Sequence, residues 1–323
     1  MKAQIATFLE IVQPDLQEVE ACMRRSPDKH HPGLDKAIEH LLNSGGKRIR
    51  PTVTILAGRM LDVEKERFIT LAASIEMLHT GTLVHDDLID GSLLRRGTPT
   101  LNAQWSSGAT VLTGDYIFAR AAYLAAQTGS LPLMEIFART LMTIVNGEIT
   151  QLFDQESPDW MQSYLNRIYA KTASLFEVAT EGIGLLGEFD DQMVRGLKQY
   201  GCNIGMAFQI VDDVLDFIGE EERVGKPLAS DLRQGILTLP ALYFLDEHPE
   251  GNGLANRLRT RALKDAELEA IIRQIRDSSA IRRALYQAEQ MSAIARKQLT
   301  IFPECPEREA LYELANYIVR RTS

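Results

Sequence analysis

The sequence predicts an all-α protein with about ten or more helices. Three long intervals contain no proline and carry helical periodicity, residues 52–98, 159–226 and 250–302. In the first interval, Phe68, Leu71, Ile75 and Leu78 recur on one helical face. Alternating β-branched runs between tight turns, which are typical of strands, are nearly absent. No solenoid period and no low-complexity linker divides the chain, so we expect a single domain over residues 1–323.

Capping and turn residues indicate where several helices begin. Ser130 and Ser157 each supply a capping hydroxyl just before a predicted helix. Pro51 is expected to open a helix over residues 52–61, and it biases Arg50 toward an extended conformation. Loops are predicted at four places, residues 26–33, 95–99, 219–235 and 247–253.

The composition is that of a soluble globular protein, with 45% hydrophobic and 24% charged residues. The net charge of −9 argues against nucleic acid as a partner, because proteins that bind the phosphate backbone carry basic surfaces. The three cysteines are widely spaced and form neither a disulfide framework nor a CxxC metal site. No signal peptide and no bilayer-spanning stretch is recognised. We therefore expect a cytoplasmic protein with at most transient membrane contact.

Two acidic clusters of the form DDxxD each follow an apolar run that is typical of a long helix. Residues three and four apart on a helix share one side, so each cluster gathers its carboxylates on one face. Such a cluster repels itself unless cations bind, and Mg²⁺ suits a few carboxylates together with water and substrate phosphate. The alternative for a single cluster is an acidic helix end that faces water. The candidate metal ligands are Asp86, Asp87 and Asp90 in the first cluster, and Asp212, Asp213 and Asp216 in the second.

Basic residues accompany the first acidic cluster. The stretch GGKRIRP, residues 45–51, brings three cations to a loop that feeds a helix N-terminus, which is a favourable place for an anion. Two arginines also follow the first cluster closely, and their forked guanidinium groups match diphosphate oxygens. The alternatives are a solvated basic loop and simple Asp–Arg pairing at the surface. The candidate anion ligands are Lys47, Arg50, Arg95 and Arg96.

Further polar residues lie within or just after apolar helices. His79 precedes Asp86 by two helical turns, and the alternative is a satisfied structural histidine. His85 directly precedes the first cluster, where we expect a packing or hydrogen-bonding role because Mg²⁺ prefers oxygen ligands. The remaining candidates are Lys171, Thr172 and Gln209 on long helices, and Lys226 and Asp231 on the loop after the second cluster. For the helical ones, the alternative is a polar residue at the edge of the core.

Together these stretches resemble the trans-isoprenyl diphosphate synthase family, also called polyprenyl synthetases. The resemblance rests on GGKRIRP, HDDLID with RRGTP, GDY at residues 114–116, KTASLF, FQIVDDVLD and GKP–SDL–TLP, which occur in the family's order. It extends from about residue 45 to residue 240, and the C-terminal residues 314–321 look like the family's closing helix. One departure is Ile236, since many relatives carry a lysine after the glycine that corresponds to Gly235.

The resemblance implies an isoprenoid-synthase-type helical bundle around a central cavity, with the two acidic clusters facing each other at its mouth, usually in a homodimer. It also implies an Mg²⁺-dependent condensation of isopentenyl diphosphate with an allylic diphosphate such as farnesyl or geranylgeranyl diphosphate. The reaction proceeds by ionisation, condensation and elimination, with about three Mg²⁺ ions per active site held by the six aspartates. The departing diphosphate is the family's proposed base for the final proton.

The same resemblance implies a role for each of the other candidates. Arg95, Lys171 and Lys226 contact the allylic diphosphate. The diphosphate of isopentenyl diphosphate is held by Lys47, Arg50, His79 and Arg96. The catalytic set is Lys171, Thr172, Gln209 and Lys226, of which Thr172 and Gln209 line the region where carbocation charge develops.

Product length in this family depends on residues one turn before the first cluster. Gly81 and Thr82 stand where short-chain members carry aromatic residues, so we expect an open passage and a medium-to-long all-trans product. Leu78 lies deeper on the same helix, and Phe118 and Tyr123 on a neighbouring helix are candidate floor residues.

Several other functions are compatible with parts of the pattern. A geranylgeranyl or farnesyl diphosphate synthase would keep the chemistry and shorten the product. A class I terpene cyclase also uses DDxxD, although it does not need GGKRIRP or RRG for a second diphosphate. A non-catalytic subunit typically loses aspartates that are all present here, and the need for a second, dissimilar subunit stays open.

Overall fold

The computed structural model describes residues 2–25, 31–153, 159–219 and 228–321, with side chains from residue 10 onward. The prediction of an all-α protein is confirmed, because helices make up nearly all the regular structure of these ranges. The first helices are α1 (Lys2–Arg24), α2 (Pro32–Asn43), α3 (Ile49–Met60), α4 (Lys65–Ile89), α5 (Leu101–Gln104), α6 (Ser107–Gln127), α7 (Leu131–Phe153) and α8 (Trp160–Ile168). They are followed by α9 (Ser174–Leu186), α10 (Asp191–Ile218), α11 (Ser230–Arg233), α12 (Leu239–Glu247), α13 (Gly251–Arg259), α14 (Asp265–Asp277), α15 (Ala280–Gln298) and α16 (Pro306–Arg320).

The chain forms two compact units. The first comprises Met1–Met142, Leu175–Gly201 and Leu299–Glu313, and the second comprises Thr143–Ser174, Cys202–Gln298 and Leu314–Ser323. The expected single domain over residues 1–323 stays a prediction. Within the described ranges, no helix combines the length and the apolar character that crossing a membrane requires.

Helix α4 lies at the centre of the first unit, where it packs against α1, α3 and α6. Its middle residues are buried on every side, including Leu71, Ile75 and Leu78, and a helix that is apolar all round belongs in a core. Each such leucine or isoleucine contributes about 1.5–3 kcal/mol on burial. The buried hydroxyl of Ser74 donates to the carbonyl oxygen of Ala121 on α6 at 2.8 Å, so this polar group is satisfied inside the core.

A short hairpin follows α4. Strands β1 (Leu94–Arg95) and β2 (Thr98–Pro99) pair antiparallel, with Arg95 opposite Thr98. The two connecting residues, Arg96 and Gly97, have φ angles of 52° and 76°, which is the backbone of a type I′ turn. The sequence predicted a loop here and not a hairpin, because four strand residues are too few to give an alternating pattern.

The start of α3 differs from the prediction. The helix begins at Ile49 instead of residue 52, so Arg50 is helical and not extended. Pro51 therefore occupies the first turn, where its missing N–H costs nothing because first-turn N–H groups have no intrahelical acceptor. The preference of the residue before a proline for extended backbone is a bias that this turn overrides.

Two predicted helix caps have different outcomes. The Ser130 hydroxyl accepts a hydrogen bond from the backbone N–H of Leu133 at 3.3 Å, which confirms it as the cap of α7. Ser157 lies outside the described residues. The described helix α8 has Asp159 as its cap, and that carboxylate accepts from the N–H of Gln162 at 3.0 Å.

In the second unit, α12 packs against α8, α13, α14 and α15. The part of α10 in this unit buries Ile210, Val214 and Phe217, which lie on the core side of the helix. The second acidic cluster is on this same helix, interleaved with these apolar residues.

Candidate active site

The first acidic cluster occupies the end of α4. Asp87 is only 6% exposed, whereas Asp90 caps the C-terminus of the helix and is exposed. The guanidinium of Arg95 lies against Asp87, with Nε donating to Oδ1 and Oδ2 at 2.9 and 3.0 Å and Nη2 2.8 Å from Oδ1. The hairpin returns Arg95 onto the helix end, so the Asp–Arg pairing considered from the sequence is present. A buried carboxylate next to a guanidinium remains charged at lower cost.

His85 packs beneath α6 and does not extend the acidic cluster. Its ring lies edge-on to Phe118 with centroids 5.0 Å apart, and Nε2 is 3.3 Å from the carbonyl oxygen of Val111. A side chain at Gly114 would collide with this ring, which explains the glycine at that position. The expected packing role of His85 therefore matches its surroundings.

The two basic stretches lie together in the first unit. Arg96 donates to the carbonyl oxygen of Gly45, and a Cβ on Gly46 would be 3.1 Å from Nη1 of Arg96 and 3.4 Å from Nη1 of Arg48. Arg48 is held by Glu76, with Nη1 2.8 Å from Oε1. Arg50 lies over the ring of Phe176 at 4.8 Å. Lys47, the remaining predicted member, is exposed on the same loop.

His79 lies among these arginines. Burial lowers the pKa of His79 well below its usual value of 6.5, and the nearby charges of Arg50, Arg95 and Arg96 lower it further. The imidazole is therefore neutral at physiological pH, and it can donate or accept a hydrogen bond without adding charge. We name His79, Arg50, Arg95 and Arg96 the basic group.

In the second unit, Asp212 forms an ion pair with Arg321 near the end of the described chain. Nη1 of Arg321 is 2.9 Å from Oδ1 of Asp212, and the guanidinium stacks 3.9 Å from the ring of Phe208. The Arg321 side chain is 7% exposed. Sequence reasoning missed this residue, although it belongs to the segment that looked like the family's closing helix.

Asp213 lies at the centre of a buried hydrogen-bond chain. The Tyr164 hydroxyl donates to Oδ2 at 2.7 Å, and Nε2 of Gln209 donates to Oδ1 at 2.8 Å. Oε1 of Gln209 in turn accepts from the Thr172 hydroxyl at 2.6 Å. Burial raises the pKa of Asp213 to about 7, and these hydrogen bonds act in the opposite direction. This hydrogen-bond chain thus joins three predicted residues and adds Tyr164, which no sequence pattern indicated.

Asp216 caps the short helix α11. Its Oδ1 accepts from the N–H and hydroxyl of Ser230 at 3.1 and 2.9 Å, and Oδ2 accepts from the N–H of Asp231 at 3.2 Å. The Asp216 carboxylate therefore fixes the start of α11, which follows the predicted loop that carries Lys226. Lys226, predicted on that loop, lies outside the described residues.

Lys171 and Thr172 lie in a π-helical turn, Tyr169–Ala173, between α8 and α9. Such turns insert an extra residue into a helix and often occur at functional sites. Nζ of Lys171 is 3.0 Å from Oε1 of Glu148 on α7. Sequence reasoning missed Glu148, although an acidic residue in the apolar run of α7 was an available signal.

The predicted chain-length residues lie at the contact between α4 and α6. A Cβ on Gly81 would be 2.6 Å from the ring of Phe118, so Phe118 fills the space beside Gly81. The expectation that Gly81 leaves an open passage is therefore wrong for that side of α4, because the neighbouring helix approaches closely there. Thr82 is partly buried and its hydroxyl donates to the carbonyl oxygen of His79 at 2.7 Å, while Leu78 is fully buried.

The donor chemistry of the six aspartates fits Mg²⁺, since all are hard oxygen ligands. Among the residues described, no group of three or more carboxylate, histidine or cysteine side chains is already gathered as a metal site. Asp87, Asp212, Asp213 and Asp216 are instead held by protein cations or donors. Asp86 and Asp90 stand at the more accessible end of α4.

Comparison with known proteins places these residues in a family context. The family model described as Polyprenyl synthetase matches residues 31–275. The chain is similar to component 2 of heptaprenyl diphosphate synthase from Geobacillus stearothermophilus, with 37% identity over 98% of this chain and 99% of the relative.

Two solved structures are similar over nearly their whole length. The decaprenyl diphosphate synthase of Rhodobacter capsulatus has a TM-score of 0.91 and 35% identity, with 99% of both chains covered. A polyprenyl synthase of Caulobacter crescentus, solved with calcium and isoprenyl diphosphate, has a TM-score of 0.89 and 34% identity, covering 99% of this chain and 98% of the other.

We predict that His79 titrates below pH 6.5 in the folded chain. Its folded pKa lies below the unfolded one, so the unfolded state binds more protons, and the free energy of unfolding falls as pH drops below about 6.5. Side-chain NMR of labelled histidine, assigned with His79→Asn, measures the midpoint. Removing one nearby charge by Arg96→Gln should raise this titration midpoint, whereas Arg139→Gln on the exposed face of α7 should leave it unchanged. A midpoint at or above 6.5 would contradict the described environment.

Proposed function

The chain belongs to the polyprenyl synthetase family, and from that membership we infer that it is a trans-polyprenyl diphosphate synthase. It condenses isopentenyl diphosphate with an allylic diphosphate and so lengthens an all-trans prenyl chain. The observation that carries this conclusion is the family match over residues 31–275, which includes both acidic clusters and the basic group.

We propose that the basic group without Arg95, together with Lys47, binds the diphosphate of isopentenyl diphosphate. Arg50 and Arg96 supply charge, and the neutral imidazole of His79 supplies a hydrogen bond. Because His79 is uncharged, it adds no repulsion among the arginines when the site is empty. Arg95 is assigned to the allylic diphosphate, and its pairing with Asp87 fixes the direction of its guanidinium.

We propose that each acidic cluster binds Mg²⁺. In the first unit Asp86 and Asp90 would hold the ion, and in the second unit Asp212 would do so, where Arg321 now supplies the positive charge. The bound ion supplies charge stabilisation for the leaving diphosphate. Protein donors already bind the carboxylates of Asp87, Asp213 and Asp216. These aspartates can therefore coordinate Mg²⁺ only if those hydrogen bonds or ion pairs break. The number of ions stays a prediction.

The chain's own residues serve three tasks in the proposed reaction. The C–O bond of the allylic diphosphate breaks, and the leaving oxygens take the electron pair while Lys171, oriented by Glu148, stabilises them. The alkene of isopentenyl diphosphate then forms the new C–C bond, which depends on the basic group holding it in place. One proton leaves for the released diphosphate. Thr172 and Gln209 present fixed dipoles to the developing cation, because their hydrogen bonds to each other and to Asp213 lock their orientation.

We propose a homodimer, because large apolar side chains are exposed along α6 and α7. In the first unit Leu112 is 69% exposed and Met142 70%, and in the second unit Ile149 and Leu152 are also exposed on α7. Exposed apolar stripes of this kind mark protein contacts, and a second copy offers a matching stripe. A relative named as a component of a synthase leaves a dissimilar partner as the other possible outcome. A cytoplasmic location stays a prediction.

Activity tests the proposed function and the metal role. Purified chain with Mg²⁺ should release diphosphate only when isopentenyl diphosphate and farnesyl or geranylgeranyl diphosphate are both present. Asp90→Asn should lower kcat by about 10²–10³-fold, because it removes charge that holds the cation. Asp62→Asn, an exposed aspartate of the same unit, serves as the matched control. Release with the allylic substrate alone would instead indicate a cyclase, and no release a non-catalytic subunit.

Product length is tested at Thr82 and not at Gly81, because a ring at Gly81 would first displace Phe118. Thr82→Phe should shorten the product to about fifteen or twenty carbons, since the added ring narrows the passage one turn before Asp86. Sizing of the dephosphorylated alcohols gives the result. Leu83→Phe places the same ring on the next face of α4, at a position that is also partly buried, and serves as the control. Unchanged products from Thr82→Phe, or equal shortening by Leu83→Phe, would remove Thr82 from the passage.

Light scattering tests the dimer. The wild-type chain of 36.2 kDa should have about twice that mass in solution. Ile149→Lys should give monomers, because it buries a charge in the proposed contact. Ser163→Lys, an exposed position on α8 in the same unit, should leave the mass unchanged. A monomeric wild type would contradict the proposal.

A further inference from the structure

A second cationic feature lies in the first unit and shares no residue with the proposed active site. A cavity of about 670 Å³ is bordered by the end of α1, the start of α4 and the second half of α6. Three arginines line it, Arg25, Arg67 and Arg120.

Arg120 is the most deeply placed of the three, with 8% of its surface exposed. Nη2 donates to the backbone carbonyl oxygen of Arg25, and the guanidinium lies 5.3 Å from the ring centroid of Tyr123. Within the described part of the chain, Nη1 is buried and has no hydrogen-bond acceptor. A buried cation without a countercharge is costly, so Arg120 creates a demand for an anion.

Arg67 is oriented by carbonyl groups and not by a carboxylate. Nε donates to the carbonyl oxygen of Thr128 at 3.2 Å, and Nη1 to that of Leu186 at 2.7 Å. These bonds fix the direction of the guanidinium and leave its charge unneutralised. Arg25 is exposed and also lines the cavity, and its carbonyl oxygen accepts from Arg120.

Two acidic residues also line the cavity, Glu64 and Glu66, and both are exposed. Over the ranges that the structure describes, neither forms an ion pair with any of the three arginines. The lining therefore has one more positive than negative charge, in a chain whose net charge is −9. Burial raises the pKa of the neighbouring Cys22 thiol, and the charges of Arg120 and Arg25 act in the opposite direction.

We propose that this cavity is a binding site for a small, multiply charged oxyanion of the phosphate or diphosphate type. Forked guanidinium groups match the oxygens of such ions, and three of them in the lining of one cavity favour more than a single negative charge. Thr70, Gln127 and Thr128 add neutral polar groups to the same lining. The bound anion supplies the countercharge that the described residues of the folded chain do not provide beside Arg120.

Cys22 serves as a local reporter of occupancy, because it lines the cavity and is partly exposed. The full-length chain is treated with a small thiol reagent in EDTA, with and without inorganic diphosphate or inorganic phosphate. Peptide mass spectrometry then gives the labelling rate of each cysteine. Saturating diphosphate should slow the labelling of Cys22 by about tenfold and leave that of Cys305 unchanged. Phosphate should protect at higher concentration, because it carries less charge.

Variants connect this protection to the cavity. Arg120→Gln should abolish it, and Arg25→Gln, at an exposed position that does not endanger folding, should raise the half-protecting concentration by about tenfold. Arg139→Gln is the matched control outside the cavity, and Arg96→Gln should preserve protection because it alters only the basic group.

Three results would overturn the proposal. The first is that diphosphate does not protect Cys22. The second is equal protection by chloride at the same ionic strength, which would mean general screening of charge. The third is protection that survives Arg120→Gln and disappears in Arg96→Gln, which would mean that the anion acts from the proposed active site.

Discussion

The burial of α4 is the constraint on which the first unit depends. Its middle is buried on every side, so α1, α3 and α6 must all pack against it. The buried Glu76 in the middle is paired with Arg48, and the other charged residues lie near the two ends, with Asp86, Asp87 and Asp90 at the C-terminal end. The same burial creates the close contacts of α6 at Gly81 and Gly114. Chemistry and packing are thus set by one helix, and a change in its core positions would move the carboxylates.

The two acidic clusters are stabilised by different local means. In the first cluster the hairpin returns Arg95 to Asp87, so a cation that is close in sequence offsets the charge of the buried carboxylate. In the second cluster, Arg321 from a distant part of the chain pairs with Asp212, and the Tyr164 hydroxyl and Gln209 amide satisfy Asp213. Both arrangements reduce the self-repulsion of the clusters in the absence of bound cations. A metal ion that binds these paired aspartates would therefore have to displace the protein groups that already contact them.

Positive charge is concentrated in two separate places in the first unit. Burial, with the charges of nearby arginines, keeps the imidazole of His79 neutral, whereas Arg67 and Arg120 beside the α1–α4–α6 cavity donate to carbonyl groups. Arg95 is paired with Asp87, but Arg67 and Arg120 form no ion pair among the described residues. This is the arrangement that a protein needs if an anion is to complete the charge balance.

The sequence by itself determined the helical class, the positions of the DDxxD clusters and the family. Helical periodicity and motif order are local properties, and they do not depend on how distant segments meet. The tertiary structure alone decided that Arg50 is helical, that Phe118 fills the space beside Gly81, and that Arg321 pairs with Asp212. The last two are contacts between residues far apart in the chain, and local pattern carries no information about them, whereas the helical Arg50 overrides the local bias of a residue before proline. The π-helical turn at Lys171 belongs to the same group, because its extra residue is accommodated by packing and not by intrinsic propensity.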